Sequence, residues 1–435
     1  MDSGSTLLIF GILLAFLAAG FWIAPTLLLT GLVAMVFFTS APAGPVMATT
    51  VWTASTNWSL TALPLFIWMG EILFRSRLSE DLFTGLSVWM GRIPGRLLHV
   101  NILGCAIFAA VCGSSAATSA TVGKMSMPAL KRRGYDEGMM IGTLAGSGTL
   151  GLMIPPSIMM IVYGIAAEVS IAKLFIAGIL PGLVLVGLFM GYVVVMALLR
   201  PEIYAATAQE ATLSLREKLW ASRLLFPILL LIIGVIGSIY AGIATATEAA
   251  AVGVFGAFLL SWLSGSLTWT SFSESLVGGM KTSCMLTFIL VCAAFLSNAM
   301  GFTGIPQRLA SMVGDLNLSP AMLLLGLTVL FVILGCFLDG ISIVVLTTPI
   351  ILPMIVAAQF DLVWFGIYIV IVSEMAQITP PVGLNLYVLQ GITGRDILAV
   401  SKATFPFFLL LVAALLIVSL YPSTATWLPS LMTRG

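Results

Sequence analysis

Charge is scarce in this chain: 18 lysines and arginines and 17 aspartates and glutamates among 435 residues, 8% in all, with a net charge of +1. A soluble globule needs roughly 25% charged residues to cover its surface, so lipid has to solvate much of this one. The near-zero net charge gives no basis for a nucleic-acid partner. Histidine is reduced to His99, and a zinc enzyme needs more histidines or paired cysteines. The five cysteines (Cys105, Cys112, Cys284, Cys292, Cys336) form no CxxC pair and sit in apolar stretches, where they read as small hydrophobes. No GxxxxGK[ST] loop occurs, so nothing points to nucleotide hydrolysis. The N-terminal Met1-Asp2-Ser3-Gly4-Ser5 lacks the positive region of a secretory signal, and the first apolar run is expected to be a retained span.

Apolar residues are what is there: 60% of the chain, with a mean hydropathy of +1.15. They gather in runs over 6–22, 25–39, 60–74, 97–130, 138–167, 174–199, 224–241, 247–263, 276–300, 321–358, 362–389 and 405–420. About 20 apolar residues make a helical span. The first two runs are short, as two spans or one kinked helix. Two others, 97–130 and 321–358, are too long for one span and are interrupted midway, at Gly113-Ser114-Ser115 and at Asp339-Gly340. Arg92 and Arg96 precede the first of these and Lys131, Arg132 and Arg133 follow it. By the positive-inside rule both its ends are cytoplasmic. The run is therefore a hairpin, and its length favours a re-entrant one whose tip lies in the bilayer interior and lines a cavity. Threading onward predicts the mirror hairpin from outside, with both chain termini periplasmic.

One offset of 225 residues superposes Pro128, Asp136 and Pro155-Pro156 on Pro353, Asp361 and Pro380-Pro381, and lays Ser114-Ser115 on Asp339-Gly340. Two copies that enter from opposite sides are inverted repeats with broken helices, a pattern of secondary transporters. The predicted fold class is an all-α polytopic membrane protein of the elevator-type ion transporter kind. Residues 1–59 form scaffold spans. Repeat 1 covers 60–200, with hairpin 97–131, broken helix 137–167 and span 174–199. Residues 201–264 link the copies. Repeat 2 covers 265–421, with hairpin 319–360, broken helix 362–390 and span 403–421.

A Pro-Pro break removes amide donors and leaves upstream carbonyls unpaired. Those carbonyls, with the hairpin-tip hydroxyls, suit sodium. The first predicted ion site is Ser114, Ser115, Gly151, Ile154 and Pro156, and the offset gives the second as Asp339, Gly340, Ala376, Thr379 and Pro381. Half-helix N-termini at Ser157 and Gly383 suit a carboxylate, and Ser157, Gln377, Gly383 and Asn385 are the predicted substrate contacts. Intramembrane ionisable groups are functional candidates: Lys124, Glu248, Asp339 and Glu374 qualify, with Glu71 at a span end. Lys124 reads as a snorkelling side chain, Glu248 as a helix cap, and Asp339 as the strongest functional candidate of the four.

Gly113-Ser114-Ser115-Ala116-Ala117-Thr118 with the later Lys131-Arg132-Arg133-Gly134-Tyr135, Gly151-Leu152-Met153-Ile154-Pro155-Pro156-Ser157, Ala246-Thr247-Glu248-Ala249-Ala250, and Thr379-Pro380-Pro381-Val382-Gly383-Leu384-Asn385 resemble the large membrane subunit of tripartite ATP-independent periplasmic (TRAP) transporters. The resemblance runs over essentially the whole chain. It implies a sodium-driven elevator in the bacterial inner membrane, working with a small four-helix membrane subunit and a periplasmic substrate-binding protein. It implies carboxylate substrates such as C4-dicarboxylates or sugar acids, and no cofactor besides the coupling sodium ions. Segments 77–91 and 304–314 are expected to be surface-lying arms between scaffold and transport unit. The rival within the same fold is a stand-alone anion carrier. The rival of another class is an intramembrane hydrolase using His99, which would require His99 to reach the Ser114 tip.

Overall fold

The structure, a computed structural model, describes residues 3–200, 214–308, 311, 319–381 and 383–432, and among them it contains helices and turns with no strand. Of the predicted arm over 304–314, residues 309, 310 and 312–314 lie outside the described residues.

The chain begins with α1 (Ser3–Ala18) and α2 (Ile23–Phe38), two helices packed on each other across a turn at Gly20, rather than one kinked helix. Next come α3 (Ala43–Ser55), which the apolar runs do not reveal, and α4 (Ala62–Phe74) behind a short 3-10 turn. The arm α5 (Leu78–Met90) turns Leu78, Leu82, Leu86 and Met90 inward at four-residue spacing, leaving a polar outer face. The first hairpin is α6 (Leu98–Cys112) and α7 (Ser115–Arg132). Gly113 turns between them in the left-handed conformation (φ 64°), which a side chain would resist.

The broken helix follows as α8 (Glu137–Gly148), α9 (Leu150–Met153) and α10 (Ile158–Ala166), bent by 41° at the Pro-Pro pair. It leads into α11 (Ile171–Leu199). The linking region supplies α12 (Leu215–Ser222), α13 (Phe226–Tyr240) and α14 (Ala246–Leu263), and then α15 runs 35 residues, Trp269–Thr303. The second hairpin is α16 (Pro320–Gly335) and α17 (Gly340–Ala357), and the second broken helix is α18 (Leu362–Gln377) and α19 (Leu384–Thr393). α20 (Ile397–Leu420) and a short α21 (Ser423–Ser430), absent from the apolar runs, complete the described chain.

The helix boundaries follow the 225-residue offset: α7 begins at Ser115 and ends at Arg132, α17 begins at Gly340 and ends at Ala357. Asp136 and Asp361 each cap the helix they precede, accepting from Met139 N and Trp364 N at 2.8 Å. Both Pro-Pro bonds are cis.

Two packed groups result. In one, α15 lies against α2, α3 and α4, and α14 packs on α4 and α13. In the other, α6 to α11 and α16 to α20 surround the two broken helices, with α4–α6 and α15–α17 joining the groups. Every residue from Trp364 to Gln377 in α18 is buried, as is Ile158–Gly164 in α10, so these apolar-all-round segments form the centre of the molecule. Outward faces are apolar too: Phe226, Leu230 and Ile233 of α13 are each more than half exposed. Trp22, Trp58, Trp262 and Trp269 stand exposed near helix ends, where an aromatic belt meets headgroups. Five helices are long and apolar enough to cross a membrane, or up to seven if each of two bent pairs is one span, among the described residues.

Removing either N-cap, Asp136→Ala or Asp361→Ala, is expected to cost about 1 kcal/mol, read as a lower unfolding midpoint in detergent. An unchanged midpoint in both would show that these carboxylates do not hold their helices.

Candidate functional site

A helix that stops inside hydrocarbon leaves amides and carbonyls that need partners. At the first break the partners come from the first hairpin tip. α9 ends at Met153, Ile154 is extended, and Ser157 begins α10 by accepting from Met160 N at 3.3 Å. Ile158 N donates to Gly113 O at 3.4 Å, and a Cβ on Gly113 would stand 2.8 Å from Pro156 O. Gly151 touches the tip still more closely: a Cβ there would lie 2.6 Å from the carbonyl carbon and oxygen of Ser114 and from Ser115 Cα. The structure thus brings Ser114, Ser115, Gly151 and Pro156 into one cluster. Ile154 directs its side chain away, toward Gly182 of α11, so only its backbone is available there.

The second tip is built on different chemistry. Asp339 caps α17, accepting from Ile341 N at 3.1 Å, Ser342 N at 3.3 Å and the Ser342 hydroxyl. The carboxylate is thereby engaged locally, in the manner of an N-cap. A Cβ on Gly340 would stand 2.9 Å from Gln377 Nε2 and 3.4 Å from Ser373 Cβ, and Gly335 lies directly against Ala376. Thr379 donates its hydroxyl to Met375 O at 2.7 Å, and Cys336 Sγ donates to Pro380 O at 3.3 Å. Gly340, Ala376 and Gln377 therefore meet, whereas Pro381 stands exposed. The first break is buried at Pro155 and Pro156; the second is open at Pro380 and Pro381.

The two half-helix N-termini differ as well. That of α10 is capped by its own Ser157. That of α19 follows Gly383 (φ 31°) and has no side-chain cap; Leu386 N and Tyr387 N turn back to Gly383 O at 2.8 and 3.3 Å, and the positive dipole end is left without a side-chain partner. Two residues on, Asn385 is 0% exposed and neither its Oδ1 nor its Nδ2 has a partner. α19 packs against α7, which contributes the buried hydroxyls of Thr118 and Ser119, also without partners. Orphaned buried polar atoms are costly, and those of Asn385, beside an uncapped helix N-terminus, are suited to an anionic ligand; Ser119 Oγ is directed instead at Gly148 of α8.

The remaining ionisable candidates fall into place. Glu248 closes a capping box with Thr245, accepting from Thr245 N at 2.8 Å. Lys124 is exposed and lines a cavity of about 490 Å³ with Lys131 and Glu137. Arg395 of the loop after α19 pairs there with Glu137 of α8, and its guanidinium holds the Glu137 carboxyl below the usual carboxylate range. Glu71 pairs with Arg75. His99 packs its Nε2 on Pro94 O at 2.6 Å near the start of α6. Fifteen residues of helix, about 22 Å, separate it from Ser114, which removes the geometric basis for a Ser–His hydrolase.

Glu374 is the acid that the predicted sites omitted. It is 0% exposed; its Oε1 accepts from Ser115 Oγ at 2.6 Å and from Leu152 N at 3.2 Å, and its Oε2 has no partner. Its place in the middle of an apolar span had marked it as a functional candidate, but not as a neighbour of the first tip.

Compared with known proteins, residues 10–424 match the family described as Tripartite ATP-independent periplasmic transporter, DctM component. The C4-dicarboxylate TRAP transporter large permease protein DctM of Rhodobacter capsulatus is 34% identical over 98% of this chain and 99% of its own. That of Pseudomonas aeruginosa is 34% identical over 88% of this chain and 89% of its own. Among solved structures, the Alcanivorax borkumensis YdaH transporter superposes with a TM-score of 0.71 at 13% identity, covering 96% of this chain and 99% of that one, a likeness of fold.

Gly151→Ala puts a methyl group into the Ser114 backbone, an overpacking cost of about 1–3 kcal/mol, and is expected to lower solute uptake by about tenfold or more. Gly187→Ala, with nothing within 4 Å of the added carbon, is the neutral control. Equal uptake by the two variants would remove Gly151 from the site.

Proposed function

The chain belongs to the DctM-component family of tripartite ATP-independent periplasmic transporters, and from that premise we propose that it is the large permease subunit of a sodium-driven importer for a small carboxylate, with a C4-dicarboxylate the first candidate. The observation that carries the carboxylate is the uncapped N-terminus of α19 beside the buried, unpartnered Asn385. An anion there gains from helix dipole and free amides together, and Thr118 and Ser119 lie on the helix that faces it.

Sodium binds at the hairpin tips. At the first, Ser114, Ser115, Gly151, Ile154 and Pro156 supply backbone carbonyls and hydroxyl oxygens within one close-packed cluster. At the second, Asp339, Gly340, Ala376, Thr379 and Pro381 play the corresponding part, with the Asp339 side chain holding the tip's shape and backbone oxygens meeting the ion. Neutral oxygens in number suit a monovalent cation, and a bound cation lowers the electrostatic cost of carrying an anion nearby through a low-dielectric interior.

Movement follows the division into two packed groups. The group containing α2, α3, α4, α14 and α15 is the static scaffold. The hairpins and broken helices form the transport unit, inverted repeats that carry ions and solute past the scaffold as an elevator. α5 is one connecting arm. Support for this reading lies in the recurrence of the α7 and α17 boundaries at the 225-residue offset and in the packing of α15 and α14 against α4, apart from the helices that surround the two breaks. A small four-helix membrane subunit completes the scaffold, a periplasmic binding protein delivers the solute, and both termini of the chain face the periplasm of the inner membrane.

The test is uptake into proteoliposomes holding this chain and its small partner, with the sodium gradient and the binding protein each present or absent. Uptake that needs both is the expected result; uptake with the gradient alone would move the chain to the stand-alone carriers. Gly340→Val, which forces bulk toward Gln377 and Ser373, is expected to abolish transport. Normal sodium-dependent uptake by a folded Gly340→Val protein would eliminate the second ion site.

A further inference from the structure

One helical turn of α18 meets both hairpin tips. Glu374 reaches the first tip through Ser115 and reaches α9 of the first broken helix through Leu152 N. Two and three residues later on the same turn, Ala376 lies against Gly335 and Gln377 against Gly340, both of the second hairpin. At ~100° per residue Ala376 projects from the side opposite Glu374, while Gln377 shares the Glu374 face, so the turn touches the second hairpin on both sides and the first tip on one. Every residue of the turn is buried, and a buried helix flanked by close contacts transmits displacement rather than absorbing it.

We propose that Glu374 is a positioning residue that couples the two cation sites: its carboxyl, supplied by the second repeat, holds the first hairpin tip in register with the first broken helix. By accepting the Ser115 hydroxyl proton, Glu374 Oε1 turns the oxygen's lone pairs away from itself. They then point toward the cluster formed by Ser114 and Gly151. By accepting Leu152 N, it fixes the turn of α9 that carries Gly151. A cation at the first tip therefore tightens an arrangement whose third member is α18, and α18 presents Ala376 and Gln377 to the second tip. The first cation prepares the second site through this one side chain. No other side chain of the second repeat bonds to Ser115 or to Leu152 N among the described residues.

This inference rests on the sodium-coupled reading above, and its test separates the two. Glu374→Gln keeps an acceptor oxygen; Glu374→Met keeps the length and volume but no acceptor. Hydrogen–deuterium exchange is measured in nanodiscs without sodium, on protein that remains monodisperse with its small partner. Met at 374 is expected to speed exchange in the segments holding Leu152 and Ser115–Thr118, and Gln is expected to leave them protected. In proteoliposomes with the binding protein, Met at 374 is expected to raise the half-saturating sodium concentration about tenfold, the size of one lost buried hydrogen bond. The sigmoidal sodium response is expected to flatten while maximal uptake stays within about threefold, and Gln is expected to restore the response. Unchanged exchange in the Met variant would overturn the clamp. So would a Gln variant as impaired as the Met one, because the function would then lie in the charge and not in the acceptor. If wild-type uptake ignores sodium while the exchange difference persists, the coupling ion has been misassigned and the clamp stands.

Discussion

A backbone group that leaves a helix inside a membrane has to find a partner within the protein, and the architecture of this chain is organised around two places where that happens. Each Pro-Pro pair ends one helix and starts another, the first pair in the packed interior and the second at an open edge of it. At the first, Gly113 O, the Ser157 hydroxyl and the close seat of Gly151 on Ser114 take up the loose ends. The hairpin tip is held there because the broken helix needs it, and the broken helix is tolerated because the tip is there. Bent backbone, a turn rich in small residues and buried hydroxyls are then parts of a single solution. The carbonyls that a helix cannot use there are the oxygens through which the proposed cation site would work.

The two copies do not solve the problem identically, and the difference has functional weight. The first half-helix is capped by its own serine and enclosed; the second begins at an uncapped glycine and is open at Pro380 and Pro381. One copy is thus self-sufficient at its helix start and the other presents a free one, with Asn385 unpaired beside it. Unequal halves of this kind fit the proposal of a single asymmetric solute held between two ion sites.

Much of this was legible in the sequence because it is local. Pro-Pro pairs, capping aspartates at fixed distance and a Gly-Ser tip each declare themselves within a few residues, and α7 and α17 begin and end where the offset puts them. Helices α3 and α21 escaped because neither is apolar enough to register as a run: threonines and prolines dilute them. Glu374 was legible as an intramembrane acid, but its place at the first tip was not. Its partner under the repeat is Thr149, which is not an acid, so transferring sites by the offset pointed away from it. Its bond to Ser115 spans 259 residues of chain, and no periodicity encodes such a contact. Asp339 was legible as a special residue, but its carboxylate is engaged by its own helix, a choice that only rotamer and backbone geometry settle.

Glycine at 151, 335 and 340 lets hairpin and broken helix approach until a single added carbon would collide. Spacing that tight also leaves no thread of water between them. A membrane at 100 mV stores about 2.3 kcal/mol for each elementary charge that crosses it, and any wetted seam would let protons discharge it. The packing that shapes the tips is therefore suited to serve as a gasket as well, closing the seam between hairpin and broken helix to ions.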